Sequence, residues 1–249
     1  MTVAPGEFAP WLGVFETLRV IDGVPLFMAD HLREMSRAME ELGLKTDFNF
    51  EEARAELPKQ SGRWRWLVTL EGTRTFFHEE EPASTEPMAL SVSPIRVGSC
   101  NWDARYKTVS YLSHVQAMKS ASTPEVILLN EHGHIGSGAR TNIFWRKEKQ
   151  IFTPSREAGC RRGVVRAYIL KHRNVRIGHF PSRDLLEADE IFLTNSMMGI
   201  VSVNELKGRN FGSFPLADRL REEYAEAIEE QLAEAQNPTE TESPASGET

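Results

Sequence analysis

The run Tyr106-Lys107-Thr108-Val109-Ser110-Tyr111-Leu112 alternates its side chains around a single lysine. Read as a strand, it puts Lys107 on one face with Val109 and Tyr111, because successive strand residues point to opposite faces. Burial of that face disfavours the ammonium and yields a nucleophilic amine. The ordinary alternative is a strand-edge lysine with its head group in water. Upstream, residues 13–20 (Gly-Val-Phe-Glu-Thr-Leu-Arg-Val) also alternate and stop at Asp22-Gly23, a strand and a tight turn into residues 25–28. Asp30 then caps a helix whose Leu32, Met35, Met39 and Leu42 recur at helical spacing up to Gly43. With strands at 64–70, 74–78 and 88–93, residues 1–98 are expected to form a small α/β lobe of mostly antiparallel strands.

The pattern loosens at Val97-Gly98-Ser99, so residues 99–104 read as a linker and 105–236 as a larger second lobe. Strands are expected there at 125–129, 142–146, 150–153 and 190–194, and helices at 163–171 and 216–233. Leu216, Leu220, Tyr224 and Ile228 give the last helix an apolar stripe. Residues 237–249 have no aromatic and read as a disordered tail.

A chain of 249 residues, 40% hydrophobic, is long enough to bury a real core. The net charge of -7 opposes a general nucleic-acid surface and points to a small-molecule partner. Residues 161–183 hold no acid, but their cations alternate with Val164, Val165, Tyr168 and Ile169, which reads as a solvated helix face. Cys100 and Cys160 lack metal-site spacing, which fits a reducing, cytoplasmic setting. No apolar run is long enough to span a bilayer, and the first residues lack an export signal. His132 and His134 flank Gly133 in a hairpin turn and read as a solvated pair, so no metal site is expected.

Seven segments then occur in order: Phe15-Glu16-Thr17 with its following strand and turn, His31-Leu32, Lys107, Thr141-Asn142-Ile143-Phe144, Phe152-Thr153-Pro154, Gly163-Val164-Val165-Arg166, and Ala188-Asp189-Glu190 leading to Thr194-Asn195. Together they resemble the fold type IV, pyridoxal 5'-phosphate (PLP) dependent class IV aminotransferases over about residues 13–230, with Asn142-Ile143-Phe144-Trp145-Arg146-Lys147 most similar to the 4-amino-4-deoxychorismate lyase branch. The resemblance implies an α/β (α+β), two-lobed, D-amino-acid aminotransferase-like architecture with PLP in the crevice. Lys107 would carry the cofactor through a Schiff base and move the substrate Cα proton. Gly163, Val164 and Val165 would hold the phosphate at a helix start, beside Arg161 and Arg162. Thr194, Asn195 and Ser196 would form a second loop near the phosphate, Arg19 would face the substrate carboxylate, and the enzyme would be a homodimer acting on a small amine or amino acid.

Three departures bear on function. The helix motif ends on Glu34 where the family has its phosphate arginine, leaving Arg37, one turn on, as the candidate cation. Ser137 stands where the family has a Glu against the cofactor ring nitrogen, which weakens the electron sink and favours elimination over full transamination. The segment before Phe15-Glu16-Thr17 is shorter than in the family. The expected activity is lyase-type C–N/C–O chemistry or amino-acid transamination. The alternatives are a relative that has lost catalysis and acts as a binding or scaffold protein, or one with another ligand in the same crevice.

Overall fold

The computed structural model describes residues 12–80 and 83–236; the expected tail at 237–249 lies outside them, as do the first residues of the chain. Strand β1 (Gly13–Ile21) turns inward at every second residue, burying Val14, Glu16, Leu18 and Val20. Asp22 (φ 49) and Gly23 (φ 81) make the tight turn into β2 (Val24–Pro25), the left-handed pair that matches strand twist.

Helix α1 (Met28–Leu42) starts not from an Asp30 cap but from Phe27 in a left-handed conformation, whose N–H donates to Gln231 Oε1 at 2.8 Å. Asp30 lies in the first turn, where a carboxylate suits the helix dipole. Gly43 (φ 66) ends the helix as expected. A short helix, α2 (Phe50–Ala55), is capped by the side chain of Asn49. Strands β3 (Gly62–Thr69) and β4 (Gly72–Glu79) complete a sheet in the order β2-β1-β3-β4. Met35, Ala38 and Leu42 of α1 pack on Trp64, Trp66 and Val68 to form its core.

Strand β5 (Met88–Val97) does not belong to this first sheet. The change of sheet therefore falls between Glu79 and Met88, ahead of the linker read at 99–104, and that stretch instead contributes to a short helix, α3 (Trp102–Arg105). The Lys107 segment is not a strand either. Only Thr108 bridges Val14, and Phe15 N–H to Lys107 O (2.8 Å) with Val109 N–H to Gly13 O (3.0 Å) clamp the loop to the start of β1. Helix α4 (Leu112–Ser120) follows at once; its residues form no clear apolar stripe of the kind that marks a helix in sequence.

The remaining strands are β6 (Glu125–Asn130), β7 (Ile135–Gly138), β8 (Asn142–Lys147), β9 (Gln150–Pro154), β10 (Val175–Gly178), β11 (Glu190–Asn195), β12 (Gly199–Leu206) and β13 (Arg209–Asn210). Helices α5 (Val164–His172), α6 (Arg183–Leu186) and α7 (Pro215–Gln236) cover them. The second sheet runs β10-β9-β8-β11-β12-β5-β6-β7, with β13 beside β12. It is buried on both faces: Ile143, Trp145, Ile191 and Leu193 pack on one side, Phe144, Phe192, Val165 and Leu220 on the other. Buried Glu190 accepts from Ala217 N–H (2.7 Å) and Leu216 N–H (3.2 Å), which fixes the start of α7. Tyr224 of α7 stacks on Phe27 at 5.2 Å, tying the two sheets together beside the site. Among the described residues, no helix is long and apolar enough to cross a membrane.

Candidate active site

Clamping against β1 sets Lys107 beside the inward register of that strand. Its Nζ lies 2.9 Å from Glu16 Oε2, so a buried carboxylate replaces the apolar surroundings expected from strand alternation. The same oxygen meets His31 Nδ1 at 2.8 Å, and His31 Nε2 lies 3.2 Å from Ser196 Oγ. Burial alone would raise the Glu16 pKa, but the Lys107 charge and the His31 hydrogen bond and charge bring it down to about 2. With Glu16 ionised, His31 Nδ1 is the donor to it; a neutral ring then accepts from Ser196, an assignment made from the partners.

A cavity of about 50 Å³ opens beside Lys107. Gly163, Val164 and Val165 at the start of α5 line it together with Thr194, Asn195 and Ser196 at the end of β11, so seven residues picked out in the sequence converge. Gly163 is required by a close approach: a Cβ there would fall 2.1 Å from Asn142 Oδ1. The Asn142 amide donates to Arg161 O at 2.8 Å and thereby fixes the loop that delivers the helix start. Asn195 Oδ1 accepts from the N–H groups of Met197 and Met198, at 3.0 and 2.8 Å, and holds the opposite loop.

Thr194 and Thr141 line this cavity, and their hydroxyls are buried without a partner among the described residues. An unmet buried hydroxyl costs roughly 1–3 kcal/mol, a cost that a polar ligand removes. Free N–H groups at the start of α5 favour an anion in the same place. The donor set therefore fits a phosphate group.

Deeper in, the Tyr111 hydroxyl donates to Ala139 O and accepts from Arg161. Arg161 also donates to Gly138 O and Ala139 O, both at 3.0 Å. It is only 5% exposed, and Arg166, bonded to Pro154 O, only 6%, so these two cations depart from the solvated face expected of the run, whereas Arg162, Lys171, Arg176 and Arg183 are exposed. His114 stacks on Tyr111 at 4.3 Å, and burial followed by the Arg161 charge pushes it down to about 3. A wider outer cavity connects Lys107 to Arg63, Arg65 and Arg140. Arg63 pairs with Glu80 at 2.7 Å, whereas among the described residues Arg65 has one hydrogen-bond partner, Thr17 Oγ1 at 3.4 Å, and lies over the Phe15 ring.

Three expected site residues lie apart from these cavities. Ser137 is buried in β7 and donates to Gly138 O at 3.0 Å. Arg37 is bound to Glu34 at 2.5 Å on α1. Arg19 lies near Tyr224, where its charge is felt by the phenol. The sequence reading passed over Glu16 as the partner of Lys107, and over Tyr111 and Arg65. The readable sign was a carboxylate at an inward position of an alternating strand.

The amino-transferase class IV family model matches residues 13–206. The aminodeoxychorismate lyase of Bacillus subtilis (strain 168) is 27% identical over 235 residues, covering 81% of this chain and 80% of that protein. Among solved structures, the branched-chain aminotransferase of Thermoproteus uzoniensis with norvaline superposes with a TM-score of 0.79 at 20% identity, covering 94% of this chain and 92% of that one. An aminotransferase from Brucella abortus bound to the cofactor PLP gives a TM-score of 0.75 at 18% identity, covering 91% and 93%. The two structures share the fold, the family model spans most of the sequence, and the chain belongs to the class IV amino-transferases.

Proposed function

We propose that this protein is a PLP-dependent enzyme of the aminodeoxychorismate-lyase type, working through Lys107. The observation that carries this reading is the placement of Lys107, held by an ionised Glu16, at the rim of a cavity ringed by a glycine-cradled helix start and unmet hydroxyls. PLP, when bound, supplies a carbonyl carbon for an amine and an electron sink for the bond that breaks. The N–H groups that open α5, with the Thr194 hydroxyl, would hold the phosphate. Lys107 Nζ would hold the cofactor and, once freed, would take the proton from the carbon bearing the substrate amine. Glu16 keeps that nitrogen aimed, and His31 with Ser196 fixes Glu16 in turn.

The outer cavity favours lyase-type over branched-chain chemistry. Arg65 at its wall suits a substrate bearing a carboxylate away from the reacting carbon, and an aliphatic side chain would leave Arg65 without an acidic partner. Ser137 stands where the resemblance places a carboxylate against the ring nitrogen, a replacement that favours elimination over full transamination. We infer a homodimer, as in relatives of this family, in which exposed Trp102 (47%) and Leu112 (66%) would be covered.

The test is an absorbance spectrum with added PLP for the parent and Lys107→Ala. A visible band that borohydride abolishes, present only in the parent, is expected, followed by turnover of aminodeoxychorismate ahead of branched-chain amino acids. A folded parent with no band overturns the enzyme reading and leaves a binding or scaffold protein.

A further inference from the structure

We propose that Arg162, in the loop leading into α5, supplies the free cation that meets the cofactor phosphate in this chain; the inference rests on the PLP reading above. Among the described residues, four cations line the inner cavity and no carboxylate does. Three of them are already engaged. Lys107 is bound to Glu16 at 2.9 Å, Arg140 donates to Pro124 O at 2.6 Å, and the buried Arg161 spends its guanidinium on Tyr111 and two carbonyls. Arg162 alone among the four has no hydrogen-bond or ion-pair partner among the described residues, and its side chain is exposed.

Its position suits the task. Arg162 immediately precedes Gly163, the residue that starts α5, and borders both the inner cavity and a smaller one between β1, α1 and the Lys107 loop. On that second cavity α1 presents Glu34, whose carboxylate Arg37 holds at 2.5 Å. Helix α1 therefore offers a neutralised pair and no free cation. Arg105, on the same cavity, donates to Ser99 O at 2.9 Å.

A phosphate dianion in the inner cavity would meet the partial charge of a helix start, worth about half an elementary charge, and the unmet hydroxyl of Thr194. Neither neutralises two negative charges. Arg162 closes over the anion from the solvent side, where its planar fork gives two parallel donors.

The test measures the affinity of PLP and of pyridoxal, which lacks the phosphate, by titrating the visible band in four proteins: the parent, Arg162→Gln, Arg162→Lys, and the double variant Glu34→Gln/Arg37→Gln. Melting curves confirm that each is folded. The PLP dissociation constant should rise roughly 10- to 100-fold in Arg162→Gln, the loss expected for one charge-assisted contact. Arg162→Lys should recover much of it. Pyridoxal affinity should not distinguish the parent from Arg162→Gln, and the double variant should bind PLP as the parent does. Unchanged PLP affinity in Arg162→Gln, an equal loss for pyridoxal, or a larger loss in the double variant overturns the inference. A parent that binds PLP while Arg162→Gln is unaffected removes this inference alone; a parent that binds none removes the PLP reading on which it stands.

Discussion

Replacing Glu16 by Gln keeps the outline of the side chain and removes the charge that Lys107 and His31 share through one oxygen. Lowering the carboxyl from its ordinary 4.5 to about 2 corresponds to about 3 kcal/mol of folding stability at neutral pH. Because the folded value lies below the unfolded one, this contribution is full above pH 4.5 and is lost as pH falls towards 2. By pH 3 roughly half of it remains. The amide of Gln also turns a donor towards one of the two groups, leaving a cation or a ring nitrogen badly met in a buried place. Urea unfolding of the parent and of Glu16→Gln at pH 7, 4 and 3 measures this directly. The variant should be weaker by about 3 kcal/mol at pH 7, with the gap narrowing towards pH 3. A gap below about 0.5 kcal/mol at pH 7, or one that stays constant with pH, would refute the claim that Glu16 is held ionised by these partners.

Gly163→Ala should push the loop off Asn142, since its Cβ falls 2.1 Å from the amide oxygen, and should weaken PLP binding by roughly tenfold or more while lowering the melting temperature. Titration of the visible band and a melting curve check it. His114, pushed down to about 3, stays neutral in the folded chain while the unfolded chain takes up a proton below about pH 6.5. Stability should therefore fall as pH drops from 6.5 towards 3, and His114→Phe should flatten that slope in denaturant titrations at several pH values. Arg65→Met should raise KM roughly 10- to 100-fold for an amine with a remote carboxylate and leave kcat nearly unchanged, as steady-state kinetics would report. An equal effect on substrates without that carboxylate would place Arg65 outside substrate recognition.

Where a feature depends on adjacent residues, the sequence by itself determined it. The alternation of β1, the Asp22-Gly23 turn and the Gly43 helix end all appear where they were read, because strand and helix periods and left-handed φ are properties of contiguous chain. Lys107 and the two loops around Gly163 and Thr194 were legible as ordered motifs, and the fold brings them to one cavity. What touches Lys107 was not legible, since Glu16 lies 91 residues away and the contact exists only once β1 and the Lys107 loop are clamped together. Sheet membership escaped for the same reason: β5 reads as a strand in either lobe, and only its parallel pairing with β6 and β12 decides which. A cation in or just ahead of an alternating helix reads as solvated until the tertiary structure closes over it, as it does over Arg166 of α5 and Arg161 before it. Local order is encoded by what each residue permits its neighbours; burial and charge pairing are decided by which distant surfaces exclude water together.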